Sequence, residues 1–105
     1  MLSTFRNCDN LIDASNINIP SGVVEARNCF DDCNNLTTAP ELVSSLKDIS
    51  QMFIGCNNLT GDIVVNCEPD SYEECFKWTS TTITLSGSSS KKAEIAATIT
   101  NPAPV

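Results

Sequence analysis

The sequence predicts an α/β repeat: a solenoid of short parallel strands joined by short helical or 3-10 turns, with about 23 residues per coil. Two observations predict it. The four phenylalanines, Phe5, Phe30, Phe53 and Phe76, are separated by 25, 23 and 23 residues. Three of them are followed at a fixed offset by cysteine, Cys8, Cys33 and Cys56, and then by Asn10-Leu11, Asn35-Leu36 and Asn58-Leu59. A fixed period of about 20 to 50 residues marks a stacked architecture, because each unit is too short to bury its own apolar face and stacking supplies the missing core.

The shared string is Phe-x-x-Cys-x-Asn-Leu, and the match extends to both sides of it. Four residues before each Phe stand Met1, Ala26, Ile49 and Tyr72, and immediately before it Thr4, Cys29, Met52 and Cys75. Stacked in register, Phe falls on Phe, Cys on Cys and Leu on Leu. Ile17-Asn-Ile-Pro20 and Leu36-Thr-Thr-Ala-Pro40 read as extended segments that stop at a proline, which donates no ladder hydrogen bond. Ile63-Val-Val65 and Ile83-Thr-Leu85 read as the next rungs, and Leu46-Lys-Asp-Ile49 leads into a single helical or 3-10 turn before Phe53.

Residues 1–85 thus form about four coils, the first truncated, and residues 86–105 a C-terminal cap. The last coil lacks Cys and Asn-Leu and carries Thr79 and Trp78-Thr-Ser-Thr-Thr-Ile83 instead, as a terminal repeat does. Ser86-Gly-Ser-Ser-Ser90 offers N-cap hydroxyls to a short helix over Lys91–Thr98, which closes the stack, and Asn101-Pro-Ala-Pro-Val105 reads as an extended tail. Met1 aligns with Ile49, so the chain starts in mid-repeat and is expected to be part of a longer protein. A native start at Met1 is the alternative, favouring a phage or cytoplasmic protein.

The string from Leu36-Thr-Thr-Ala-Pro40 through Leu46-Lys-Asp-Ile49 to Met52-Phe53-Ile-Gly-Cys56 resembles the BspA-type leucine-rich repeat. The Met-Phe-x-Gly-Cys variant is also similar to repeats of mycoplasma-type surface lipoproteins. The resemblance covers roughly residues 1–85 and implies a leucine-rich-repeat-like solenoid in a bacterial cell-surface or phage-borne protein used for adhesion or ligand recognition.

Composition bounds the alternatives. With 41% hydrophobic and 18% charged residues the chain is globular, and 105 residues suffice for one core. The net charge is −7, and Arg6, Arg27, Lys47, Lys77, Lys91 and Lys92 are scattered, so no basic stripe exists to meet a nucleic-acid backbone. No apolar run approaches the roughly eighteen residues of a membrane span, and no membrane insertion is expected.

The six cysteines are expected as reduced, buried thiols. Cys8, Cys33 and Cys56 share one repeat position and Cys29 and Cys75 another; side chains pointing the same way are poorly set for the torsion of roughly 90° that a disulfide needs. A bond between unlike positions, such as one to Cys67, is the competing arrangement. Cys29-x-x-x-Cys33 is a single pair without histidine, so neither a metal nor another cofactor is expected. No enzymatic activity is expected either: with no histidine, neither a Ser-His-Asp nor a Cys-His arrangement can be assembled, and the paired acids Asp31-Asp32 and Glu73-Glu74 read as solvated turn residues.

Asn10, Asn35 and Asn58 are expected to form a ladder, their amides bonding backbone groups of the turn and of the next coil. The same ladder accounts for the glycosylation-like strings Asn35-Leu-Thr37 and Asn58-Leu-Thr60. For a binding surface the candidates are the polar strand positions Thr37, Thr38, Asp62 and Thr84, together with Tyr72, Glu73, Glu74 and Trp78, where Glu68-Pro-Asp70 adds negative charge that suits a basic partner. The expected function is non-enzymatic cell-surface or secreted recognition or adhesion, with a protein or glycan ligand; the alternative is a structural spacer or cap of a longer surface or phage tail protein. An open end of the stack invites self-association.

Overall fold

The chain passes beside itself once every 22 to 25 residues, each time in the same direction. In the computed structural model, which describes residues 5–8 and 10–100, parallel bridges join Asp13 to Thr38, Glu25 to Asp48, Asp48 to Ser71, Leu42 to Val65 and Lys77 to Thr100. Where the bridging runs longest it makes two strands, β1 (Asp62–Val64) and β2 (Thr84–Ser86), paired in parallel as Asp62↔Thr84, Ile63↔Leu85 and Val64↔Ser86. The strands alternate sides: Ile63 is buried while Asp62 and Val64 face out.

The phenylalanines lie over one another. Ring centroids are 5.2 Å apart from Phe5 to Phe30, 5.2 Å from Phe30 to Phe53 and 5.3 Å from Phe53 to Phe76, and no pair departs from parallel by more than 9°. This is close to the spacing of about 4.8 Å between hydrogen-bonded strands, so backbone pairing and ring stacking demand the same repeat distance. Phe30, Phe53, Phe76, Leu36, Leu59, Cys33 and Cys56 have no exposed surface, whereas Phe5, Cys8 and Leu11, in the same columns, are only partly buried. Each fully buried ring stabilises the stack by about 1.5–3 kcal/mol.

The segments around the phenylalanines are neither helical nor 3-10, contrary to expectation. Bonds such as Cys29 N–H to Ala26 O (3.2 Å), Met52 N–H to Ile49 O (3.1 Å) and Cys75 N–H to Tyr72 O (3.2 Å) close separate turns. Every second amide points instead at the neighbouring layer: Ala26, Asn28, Phe30 and Asp32 donate to Asp48, Ser50, Met52 and Ile54. Ile49, Gln51, Phe53 and Gly55 donate in turn to Ser71, Glu73, Cys75 and Lys77. A helix would have spent those amides within its own coil. The alternation is achieved by left-handed residues two before Phe (Asn28, Gln51, Glu74) and two after it (Asn7, Asp32, Gly55, Trp78). At Gly55 a Cβ would run into the Asp32 carboxylate, so glycine is required there for space as well as for its φ of 79°.

Pairing also continues past Pro40, where an extended segment was expected to stop. Leu42 N–H donates to Val64 O (2.9 Å) and Leu42 O accepts from Asn66 N–H (2.9 Å). Proline removes a donor only at its own position, and the next amide needed by the neighbour lies two residues on.

Helix α1 (Lys92–Ala96) buries Ile95 against the last layer. Its N-cap is Lys91, with no side-chain cap bond; of the expected serine caps, Ser89 instead accepts from Lys91 N–H (3.1 Å) and Ser90 binds Glu68. After the helix, Thr98 Oγ1 accepts from Phe76 N–H (3.1 Å) and Thr100 Oγ1 from Trp78 N–H (3.3 Å), so the tail takes the place of a further layer. The division expected after Leu85 falls inside β2. The expectations for Met1 and for Asn101–Val105 lie outside the described residues.

Candidate functional site

Outward side chains on neighbouring layers bond to one another beside the paired backbone. Thr38 Oγ1 donates to the Asp13 carboxylate of the layer with which it is bridged, and across β1 and β2 Thr84 Oγ1 and Ser86 Oγ donate to Asp62 at 3.1 and 2.6 Å. Side-chain bonds from Ser15 and Thr38 hold the Asp13 carboxyl down at about 2. Further along, Asn66 Nδ2 donates to Glu41 Oε2 (2.9 Å) and Asn66 Oδ1 accepts from Ser88 N–H (2.9 Å). The result is an exposed surface of carboxylate and amide acceptors with ordered hydroxyls, fixed by the backbone pairing beneath. Thr37, by contrast, turns its hydroxyl to Ile12 O at 3.0 Å.

The sequence-chosen patch is divided. Lys77 Nζ lies 2.6 Å from Glu74 Oε2 and 4.7 Å from the centre of the Trp78 ring, which brings Glu74 and Trp78 together around one lysine. Tyr72 has its own cation, Lys91 Nζ at 5.9 Å from the ring. Glu73 is exposed, and its backbone carbonyl accepts from Gln51. The expected concentration of free negative charge is therefore reduced. Glu74 receives Lys77 on one oxygen and Gln51 Nε2 on the other (2.8 Å), and the Lys77 bond holds its carboxyl below the usual range. An open cleft of about 320 Å³ lies beside it, lined by Glu74, Lys77, Thr98 and Thr100, whose polar side-chain atoms already serve internal bonds.

The asparagines of the expected ladder are exposed. Asn58 Nδ2 donates to Asn34 O on the neighbouring layer at 2.8 Å. A second, unforeseen ladder runs through three layers: Asn28 Nδ2 donates to Gln51 Oε1 (3.1 Å), and Gln51 Nε2 to Glu74 Oε1. Its signal was in the sequence, since the position two before each of these phenylalanines holds a side chain ending in an amide or carboxyl. Asp31, read as a solvated acid, is 6% exposed and accepts from Asn28 Nδ2 at 2.8 Å, because the left-handed turn folds the amide back onto it.

All six cysteines stand as thiols. Cys33 and Cys56 donate to the carbonyls of Phe5 (2.8 Å) and Phe30 (3.0 Å) on the preceding layer. Burial pushes the Cys56 and Cys75 thiols well up and that of Cys67 to about 11, which suppresses the nucleophilic thiolate. Among the described residues no group of three or more Cys, Asp or Glu is placed to hold a metal ion, and no helix is long and apolar enough to cross a membrane. Compared with family models, curated proteins and solved structures, the chain matches none.

Proposed function

We propose that the chain is a segment of a leucine-rich-repeat-like solenoid that serves non-enzymatic recognition, presenting its strand face to a protein or glycan ligand at a cell surface. The observation that carries this reading is the pair of outward side-chain groups bonded across layers, Thr38 with Asp13 and Thr84 and Ser86 with Asp62. Carboxylates and hydroxyls at strand spacing suit ligands rich in hydroxyl and amide donors, such as sugars and peptide backbones. BspA-type and mycoplasma-type surface repeats, which the sequence resembles, belong to the same setting, and a phage-borne protein is the second setting.

A spacer or capping role in a longer surface or phage tail protein is the second reading, and one observation favours it: Asp13 and Asp62 already hold hydroxyls of the chain itself. Binding of the chain to glycan arrays and immobilised extracellular-matrix proteins separates the two. Recognition by this face requires binding that Thr38→Arg or Thr84→Arg removes while the thermal transition stays in place. Silence from a well-folded chain favours the spacer.

A further inference from the structure

The last layer is joined to the segment after it differently from the way the layers join one another. Ile49, Gln51, Phe53 and Gly55 give their amides to backbone carbonyls of the next layer. At the matching positions Phe76 and Trp78 give theirs to the Thr98 and Thr100 hydroxyls, at 3.1 and 3.3 Å. Among the described residues the amides of Tyr72 and Glu74 meet no acceptor. One repeat further on the chain is in α1, whose carbonyls turn to its own amides: Lys91 O accepts from Ile95 N–H and Ala93 O from Ala97 N–H.

Residues 88–100 are held for the most part by side chains. Of α1 only Ile95 is buried, and Ile99 after it is partly so. Backbone bonds to the layers run from Ser89 N–H to Val65 O, from Thr79 N–H to Thr100 O and from Thr100 N–H to Phe76 O, at 3.0, 3.1 and 3.4 Å. Side-chain bonds add to them, from Ser89 and Ser90 to Glu68 and from Lys91 Nζ to Pro69 O. The segment starts at Gly87, left-handed with φ of 98°, directly after β2 ends its pairing with β1. A helix of five residues is unstable by itself in water, so α1 persists only while it is docked.

We infer that residues 88–100 are a lid, hinged at Gly87, that opens from the end of the stack as one unit while the layers beneath stay paired. Closed, its threonine hydroxyls occupy amides whose counterparts one layer earlier hold a neighbouring backbone. Open, it leaves Tyr72, Glu74, Phe76 and Trp78 as an alternating row of donors, in the register by which Ile49, Gln51, Phe53 and Gly55 bind their neighbour. The Thr98 and Thr100 bonds are then autoinhibitory contacts, which keep a pairing edge shut. The inference stands on the backbone pairing and is independent of the recognition role.

Native-state hydrogen exchange of the full chain at neutral pH tests it, read amide by amide. Phe76, Ser89, Ile95 and Ala97 are expected to share one opening, with protection at least about tenfold below that of Phe30 and Phe53, whose amides pair between layers. Thr98→Val removes the hydroxyl at nearly constant volume. It is expected to lower protection about fivefold at Ser89, at the other end of the lid, and to leave Phe30 and Phe53 unchanged. Protection at Phe76, Ser89, Ile95 and Ala97 equal to that of Phe30 and Phe53 in the unmodified chain overturns the inference. Loosening in the variant that stops at Phe76 and α1, with Ser89 unmoved, also overturns it, because the contacts then open separately. So does equal loosening at Phe30 and Phe53, since the whole stack then opens together.

Discussion

Cys56 donates its thiol hydrogen to the Phe30 carbonyl across 3.0 Å, so a side chain of one layer closes on the backbone of the layer before it. The Phe30 carbonyl also accepts from Cys33 N–H at 3.2 Å, so removing the thiol weakens the junction without orphaning the carbonyl. Cys56→Ala is expected to cost about 1–2 kcal/mol through the lost bond and the small void. Cys56→Ser keeps a donor and is expected to cost less. Urea midpoints of the two variants decide it: a larger loss for serine means that the thiol acts only as apolar filling.

The buried thiols also set an alkaline limit. Cys56, Cys67 and Cys75 have folded pKa values raised above the unfolded 9.0, chiefly by burial. Below 9 both states hold the proton and the full stability is present. Above it the unfolded chain releases protons that the folded chain keeps, so stability falls as pH rises. Urea midpoints are expected to decline from about pH 9 towards the Cys67 value of about 11. A triple Cys→Ala variant should show a shallower decline over the same window; an identical slope would remove the thiols as its cause.

Gly55 and Gly61 make a matched pair, both left-handed, with φ of 79° and 82°. A Cβ on Gly55 meets the Asp32 carboxylate of the neighbouring layer, while at Gly61 nothing lies within 4 Å. Gly61→Ala is expected to cost about 1 kcal/mol from backbone strain alone. Gly55→Ala should cost at least about twice that, since the layer contact must also open. Equal melting temperatures for the two variants would show that the junction yields freely.

What was legible in the sequence is what repeats in side-chain identity. The phenylalanine spacing, the Cys and Leu offsets and the helix near Lys92–Ala96 can all be read from residue types, because burial selects those types directly. The left-handed turns could not be read, since Asn28, Gln51 and Glu74 differ in identity and share only a backbone conformation imposed by the neighbouring layer. Of the Asn28–Gln51–Glu74 ladder the sequence carries only an amide or carboxyl two residues before each Phe; that these side chains meet depends on the turns that align them. On the surface, Glu73-Glu74 read as free charge because the positions of Lys77 and Gln51 relative to Glu74 depend on those turns.

Glu68 ties the cap to the layers and makes that attachment acid-sensitive. Its Oε1 accepts from Ser90 N–H at 2.6 Å and from the Ser89 hydroxyl at 3.1 Å, and Oε2 accepts from the Ser90 hydroxyl at 2.7 Å. The Ser90 bonds, side chain first and then backbone, hold the carboxyl below its ordinary 4.5. A lowered folded value means that the contribution is present above the unfolded pKa and is lost as pH falls through the folded one. Amide-exchange protection at Ser90 and Lys91 is therefore expected to drop as pH falls below the ordinary 4.5 and through the lowered folded value, once intrinsic exchange is corrected for. Protection at Phe53, whose amide bonds Cys75 O at 2.9 Å in the interior, should hold over the same window. Glu68→Gln retains one acceptor oxygen but no charge, so it should lower Ser90 protection already at pH 6 and flatten the acid response. Parallel loss at Ser90 and Phe53 would mean that acid unfolds the whole stack, and the local role of Glu68 would have to be abandoned.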